Sequence, residues 1–162
     1  MKLTSPAFVN GAAIPKEYSC DGGNNLPVLK ITDVPKIAKS LALIMEDPDA
    51  PMGTFVHWLV WNISPDSPVL SKKEISMYYQ GKNSAEKTGY LGPCPPHGTH
   101  RYIFTLFALD RALTLQPGAT KHHLMQVMAG HVVEQTELMG TFTRYDQGVS
   151  LFLCARWISE DF

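Results

Sequence analysis

The chain is short of charge, and the little it carries nearly cancels. Its 162 residues include 14 Lys+Arg and 15 Asp+Glu, so the net charge is −1 and charged residues make up 18%, below the roughly 25% of an average globular domain. Without a basic excess the chain cannot displace many counterions from a polyphosphate backbone, which argues against a nucleic-acid binder. Long apolar runs are also missing. No stretch approaches the ~20 residues needed to cross a bilayer, and Met1-Lys2-Leu3-Thr4-Ser5-Pro6 lacks the apolar segment of a secretory signal. Cysteine is scarce: Cys20, Cys94 and Cys154 include no Cys-x-x-Cys pair. That spacing gives little support to zinc or a disulfide framework and favours reduced thiols in a cytoplasmic protein, although one pair meeting in the fold stays open. No HExxH spacing or nucleophile motif occurs.

What is present suits a compact core. Hydrophobic residues reach 44% and aromatics 10%, enough to rule out disorder as the main state, and residues 1–162 have the length of one domain. Twelve Pro and twelve Gly punctuate the chain in clusters, among them Pro48 to Gly53, Pro65 to Pro68 and Gly89 to Gly98. Short apolar runs lie between them, the pattern of a strand-rich fold. Leu41–Glu46, Phe55–Ile63, Tyr102–Leu109 and Leu151–Ile158 read as strands from their β-branched and aromatic content. Phe55–Ile63 is apolar on both faces and so is expected at the centre of a sheet. Lys121–Met139 reads as one helix, with Leu124, Met125, Met128, Val132 and Leu138 near one face, Thr120 as N-cap and Gly140 as its stop. A shorter helix is expected around Lys72–Tyr79. The class is mainly β with a few helices.

The informative residues interrupt the apolar pattern. Asp47-Pro48-Asp49-Ala50-Pro51 follows directly on a strand, and its prolines hold both carboxylates with little freedom. A polar turn in which Asp caps its own backbone explains the same residues. His57 lies inside an apolar strand, where simple alternation puts it on a face with Phe55, Leu59 and Trp61. It reads either as a satisfied core histidine or as a partner of the rigid acidic turn about ten residues upstream. A third cluster runs from Gly89 to Arg101, with three prolines and two histidines, His97 and His100, just before a buried strand. Its length exceeds what a plain surface turn needs. Two carboxylates and two histidines from separate loop–strand junctions can thus converge.

These motifs resemble the phosphatidylethanolamine-binding protein family, above all its bacterial and archaeal branch. The resemblance rests on Asp47-Pro48-Asp49-Ala50-Pro51, on His57-Trp58, on Gly92-Pro93-Cys94-Pro95-Pro96 and on Gly98-Thr99-His100-Arg101-Tyr102, supported by Ile14-Pro15, Tyr18 and Cys20-Asp21-Gly22. It implies a Greek-key β-sandwich of two antiparallel sheets. It also implies a small anion pocket for a phosphate, an acetate or a phospholipid head group, formed by Asp47, Asp49, Pro51, His57, Gly92, Pro95, His100 and Tyr102. No cofactor, metal or catalytic residue is implied. Similar proteins are lipid-binding modules, Raf-kinase-pathway regulators or protease inhibitors, so a kinase or protease is the protein partner to expect. Homodimers occur among them, with Leu124–Met139 as the segment offered for an interface; a buried core face accounts for its methionines equally well. Three features depart from the branch: Leu91 stands where a small residue is common, His97 adds a ring, and Leu26-Pro27-Val28-Leu29-Lys30 replaces its usual Ser-Pro-Pro-Leu-x-Trp run.

Ionised carboxylates repel an anion, so Asp47 and Asp49 are expected behind the histidines. There they would accept a hydrogen bond from one ring nitrogen and favour the charged imidazole. His57, His100 and the backbone N–H groups of Gly92–Gly98 would then face the ligand. Two other readings use the same residues: an acid–base or metal-dependent hydrolase, and an interaction module whose pocket is incidental.

Overall fold

The computed structural model describes residues 1–145; the strand expected at Leu151–Ile158 lies outside them. Among the described residues eight strands form two sheets, β1 (Lys2–Thr4), β2 (Leu29–Thr32), β3 (Ser40–Asp47), β4 (Phe55–Ile63), β5 (Val69–Leu70), β6 (Tyr79–Gln80), β7 (Gly98–Leu109) and β8 (Val132–Arg144). The smaller sheet has the order β1-β2-β5 and the larger β6-β4-β3-β7-β8. All pairings between these strands are antiparallel.

The larger sheet is covered on both faces. One face packs Leu41, Leu43, Met45, Trp58, Val60, Phe104 and Leu106 against Leu3, Leu29, Ile31 and Leu70 of the smaller sheet. The other packs Ala42, Ile44, Leu59, Trp61 and Phe107 against Leu124 and Met128 of α1 (Lys121–Met128), the one α-helix among the described residues. Strands buried on both faces lose the alternation of a half-exposed strand, which is why β3 and β4 read as continuous apolar runs.

The long helix does not form. Thr120 does stand at the N-cap, but the helix ends at Met128, and Ala129 already has ψ 125°. Gly130 follows with φ +79°, a left-handed turn that glycine adopts at little cost. From Val132 the chain is a strand paired with β7 along its length, Val132 opposite Leu109 and Arg144 opposite Gly98. The β-branched Val132, Val133, Thr136, Thr141 and Thr143 favour that state. Gly140, expected as a stop, sits inside β8, where a Cβ would come within 2.5 Å of the Ile14 side chain. The expected helix near Lys72–Tyr79 is a 3-10 turn at Ile75–Met77 followed by β6.

The outer edge of β8 is occupied near its end by the N-terminal loop. Gly11 and Ile14 donate to the Met139 and Thr141 carbonyls, Thr141 donates to Ala12, and the Met139 N–H goes to Asn10 Oδ1. Cys20 and Cys94 form a disulfide with Cα atoms 5.4 Å apart. This corrects the expectation of reduced thiols, because the fold brings together residues 74 positions apart that no local spacing relates.

Candidate functional site

The site lies where β3, β4 and β7 end side by side. Pairing runs to Asp47 opposite Phe55 on one side of β3 and to Glu46 opposite Ile103 on the other. This register brings the end of β3 beside His100 and Tyr102.

His57 reaches the site through a β-bulge. Met45 pairs with Trp58 but Glu46 pairs with Val56, so His57 is the extra residue and the register shifts there. A bulge reverses the alternation beyond it. His57 therefore shares the face of Trp58 and Val60, and not that of Leu59 and Trp61 as simple alternation predicted. Its ring meets Phe55 at 4.8 Å and the edge of Tyr102 at 5.2 Å between centroids.

Four polar side chains gather there almost out of solvent: Asp47 and His57 are each 3% exposed, His100 7% and Tyr102 0%. His100 Nδ1 donates to Asp47 Oδ2 at 2.7 Å, and the Asp49 N–H donates to Asp47 Oδ1 at 2.8 Å. Asp47 thus orients the His100 ring, as expected, and holds the turn that follows it. His57 differs. Its Nδ1 donates to the Leu91 carbonyl at 2.8 Å, while the Leu91 N–H returns to the His57 carbonyl at 3.1 Å. Burial pushes the His57 imidazole below its ordinary pKa. The Leu91 carbonyl and the Asp47 charge oppose that shift without overcoming it. With no ligand bound, the ring is neutral at pH 7.

The Tyr102 hydroxyl is buried and makes no hydrogen bond among the described residues. Burial raises its pKa, and the Asp47 charge adds to the rise. A buried hydroxyl without a partner is rare and costs free energy.

The remaining expected residues divide. Gly92 and Pro95 are buried in the loop that carries Leu91. The Gly92 N–H is already taken by Asn24 Oδ1 at 2.7 Å, so it is not the free donor the sequence suggested. A Cβ at Gly92 would lie 2.1 Å from the Tyr18 carbonyl oxygen, which explains why only glycine fits. Asp49 turns outward to Arg101, accepting from its backbone N–H and Nε at 2.9 Å each and from Nη2 at 2.7 Å. The guanidinium holds the Asp49 carboxyl down at about 2, and in this way Asp49 fixes the start of β7 beside His100. Pro51 is exposed and lines a separate cleft of about 460 Å³ with Met52 and Phe55. Leu91 is half-buried and His97 exposed.

Sequence reasoning missed the brace behind this loop. Tyr90 Oη donates to the Tyr18 carbonyl at 2.8 Å, Cys20 N–H to the Pro93 carbonyl at 3.1 Å, and Arg144 Nη1 to the Pro95 carbonyl at 3.2 Å. The Cys20–Cys94 bond closes it. The usable signal was that both cysteines sit inside the quoted motifs, Cys20-Asp21-Gly22 and Gly92-Pro93-Cys94. Among the described residues no cluster of three or more His, Cys, Asp or Glu side chains could hold a metal ion.

The fold and the sequence have close counterparts. A UPF0098 protein of Chlamydia pneumoniae is 46% identical over 149 residues, covering 89% of this chain and 99% of the relative. Another, from Methanothermobacter thermautotrophicus, is 45% identical over 150 residues with the same coverage. Among solved structures, a putative phosphatidylethanolamine-binding protein homologue from Chlamydia trachomatis matches with TM-score 0.84 at 46% identity, over 88% of this chain and 96% of that one. YbcL of Escherichia coli, described as a member of the mammalian PEBP family, matches with TM-score 0.81 at 26% identity, over 88% and 98%. The family model for phosphatidylethanolamine-binding proteins matches residues 4–143, nearly the whole described chain and every element of the site, and the chain belongs to the phosphatidylethanolamine-binding protein family.

Proposed function

We propose that the chain binds one small phosphate-bearing group, such as a phosphomonoester or a phospholipid head group, at His57, His100 and Tyr102, and that it does so without turnover. The observation that carries this reading is the buried Tyr102 hydroxyl, without a hydrogen-bond partner among the described residues and set edge-on to His57 on the strand that also carries His100. A phosphate oxygen would accept from that hydroxyl. His57 and His100 each have Nδ1 engaged, which leaves Nε2 as the nitrogen to donate once the ring is charged. Asp47 keeps His100 oriented and balances part of the added positive charge. These groups supply hydrogen-bond donors and charge for an anion.

Isothermal titration with O-phosphorylethanolamine tests the reading. Charge-assisted hydrogen bonds are worth about 1.5–3 kcal/mol, so His57→Ala and His100→Ala should each weaken binding roughly ten- to 150-fold while the circular dichroism spectrum stays native. Wild-type affinity in both variants would remove these histidines from the site. Release of inorganic phosphate from the ester would show an enzyme instead.

A further inference from the structure

We propose that the Cys20–Cys94 disulfide is a thiol–disulfide exchange site, reduced by a dithiol that attacks Cys94, and that its state sets the affinity of the phosphate pocket. The coupling to affinity rests on the phosphate-binding reading above; the exchange chemistry does not.

The two sulfurs are unequal. Cys94 is exposed between the buried Pro93 and Pro95, whereas Cys20 is half-buried. An incoming thiolate therefore has access to Cys94. Arg144 Nη2 lies 3.5 Å from Cys20 Sγ, and its guanidinium is fixed by Asp21, with Nε to Oδ2 at 2.9 Å. Asp21 neutralises much of that charge, and Lys16 lines the same depression. An N–H donor aimed at Cys20 makes its sulfur the better leaving group, because departure is faster for the more stabilised thiolate.

The chemistry balances with a dithiol as reductant. One of its sulfurs, as thiolate, bonds to Cys94 Sγ, the Cys20–Cys94 bond breaks, and the electron pair leaves on Cys20. The second sulfur of the dithiol then attacks the mixed disulfide and expels Cys94 as thiolate. Two electrons and two protons pass to the chain, and the dithiol ends as a disulfide. Its second thiol is what completes the release.

Opening this bond acts on the pocket through a short path. Cys94 lies three residues from Leu91, whose carbonyl holds the His57 ring. With the covalent tie gone, the loop stays on the Tyr18–Asn24 segment through Cys20 N–H to Pro93, Gly92 N–H to Asn24 and Tyr90 Oη to Tyr18. A loop held only by hydrogen bonds samples open states more often, and each such state misplaces the His57 ring.

The test uses the full chain in a Cys154→Ser background, so that only this pair is read. Brief exposure to glutathione, acid quench and peptide mass mapping should place the first adduct on Cys94 with Cys20 as the free thiol. An adduct mainly on Cys20, or none under conditions in which dithiothreitol reduces the bond, overturns the exchange proposal whatever the pocket binds. Titration with O-phosphorylethanolamine should then show about tenfold weaker binding after dithiothreitol than before, a shift of about 1.4 kcal/mol in binding free energy. The Cys20→Ser/Cys94→Ser double variant should match the reduced protein and ignore the reductant. Affinities equal within twofold in the two states overturn the coupling. No affinity in the oxidised protein overturns the phosphate reading and the coupling together, while the mapping result stands by itself.

Discussion

Asp47 and Asp49, two positions apart on one proline-bounded turn, have different partners: Asp47 faces inward to His100, and Asp49 outward to Arg101. The sequence showed that both were held rigidly. Which carboxylate faced the histidines depended on β7 lying beside β3, and no local pattern encodes that. Tyr102 was legible only as a strand residue, because the missing partner of its hydroxyl is a property of the packed site. Tyr102→Phe removes that hydroxyl and little else. Stability should then hold or rise by up to about 1 kcal/mol in urea unfolding, since no hydrogen bond is lost, while phosphoester affinity falls several-fold. A fall in stability instead would mean the hydroxyl is already satisfied. His57 gives a second test at this scale. Burial lowers its pKa, so the unfolded chain takes up the proton more readily. Stability is then lost as pH falls from about 6.5 toward the lowered value. A bound anion favours the charged ring, so binding at pH 7 to 8 should be accompanied by proton uptake and weaken as pH rises. Calorimetry in buffers of different ionisation enthalpy measures that uptake directly, and zero uptake would mean His57 stays neutral in the complex.

Among the elements, β3, β4 and β7 were readable because sheets covered on both faces leave long apolar runs. The smaller sheet was not, since strands of two to four residues carry too little pattern to register. β8 misled because real helical signals at Thr120, Leu124 and Met128 run into a strand whose Val132 and Leu138 happen to continue the spacing. The turn at Gly130 is the only local sign of the change. The bulge at His57 is illegible for a related reason: one extra residue in a uniformly apolar strand alters the facing of its neighbours without altering composition. The loop Gly89–Gly98 was readable as rigid, but its rigidity comes from the segment Tyr18–Asn24 as much as from its prolines. Gly92→Ala probes that contact. The added methyl meets backbone at Tyr18, which cannot rotate away, so the variant should lose about 1–3 kcal/mol of stability and bind phosphoester more weakly because Leu91 shifts. Unfolding curves coincident with wild type would show that the loop can move aside freely.

For the whole molecule, the near-neutral composition ruled out a broad electrostatic surface and yet is compatible with an anion ligand. A few oriented donors in a dry pocket need no net positive charge. The disulfide is the other global feature: joining residues 74 positions apart, it should contribute about 4 kcal/mol by restricting the unfolded chain. Urea unfolding with and without dithiothreitol measures this contribution, and coincident midpoints would mean the hydrogen-bonded brace alone suffices. The hem that residues 10–14 sew along the end of β8 has a consequence of another kind. The larger sheet has two outer strands. One, β6, is only two residues long, too short to template a neighbour. The other is the longest strand described, with outward-facing carbonyls and an N–H at Thr141 and Met139 that would otherwise invite a strand from another copy. Because the chain's own opening loop occupies them, the sheet has little bare edge there on which to grow. A few backbone hydrogen bonds from residues 10–14 thus deny that part of the edge to a second copy, one strand away from the β7 residues Arg101 and Tyr102.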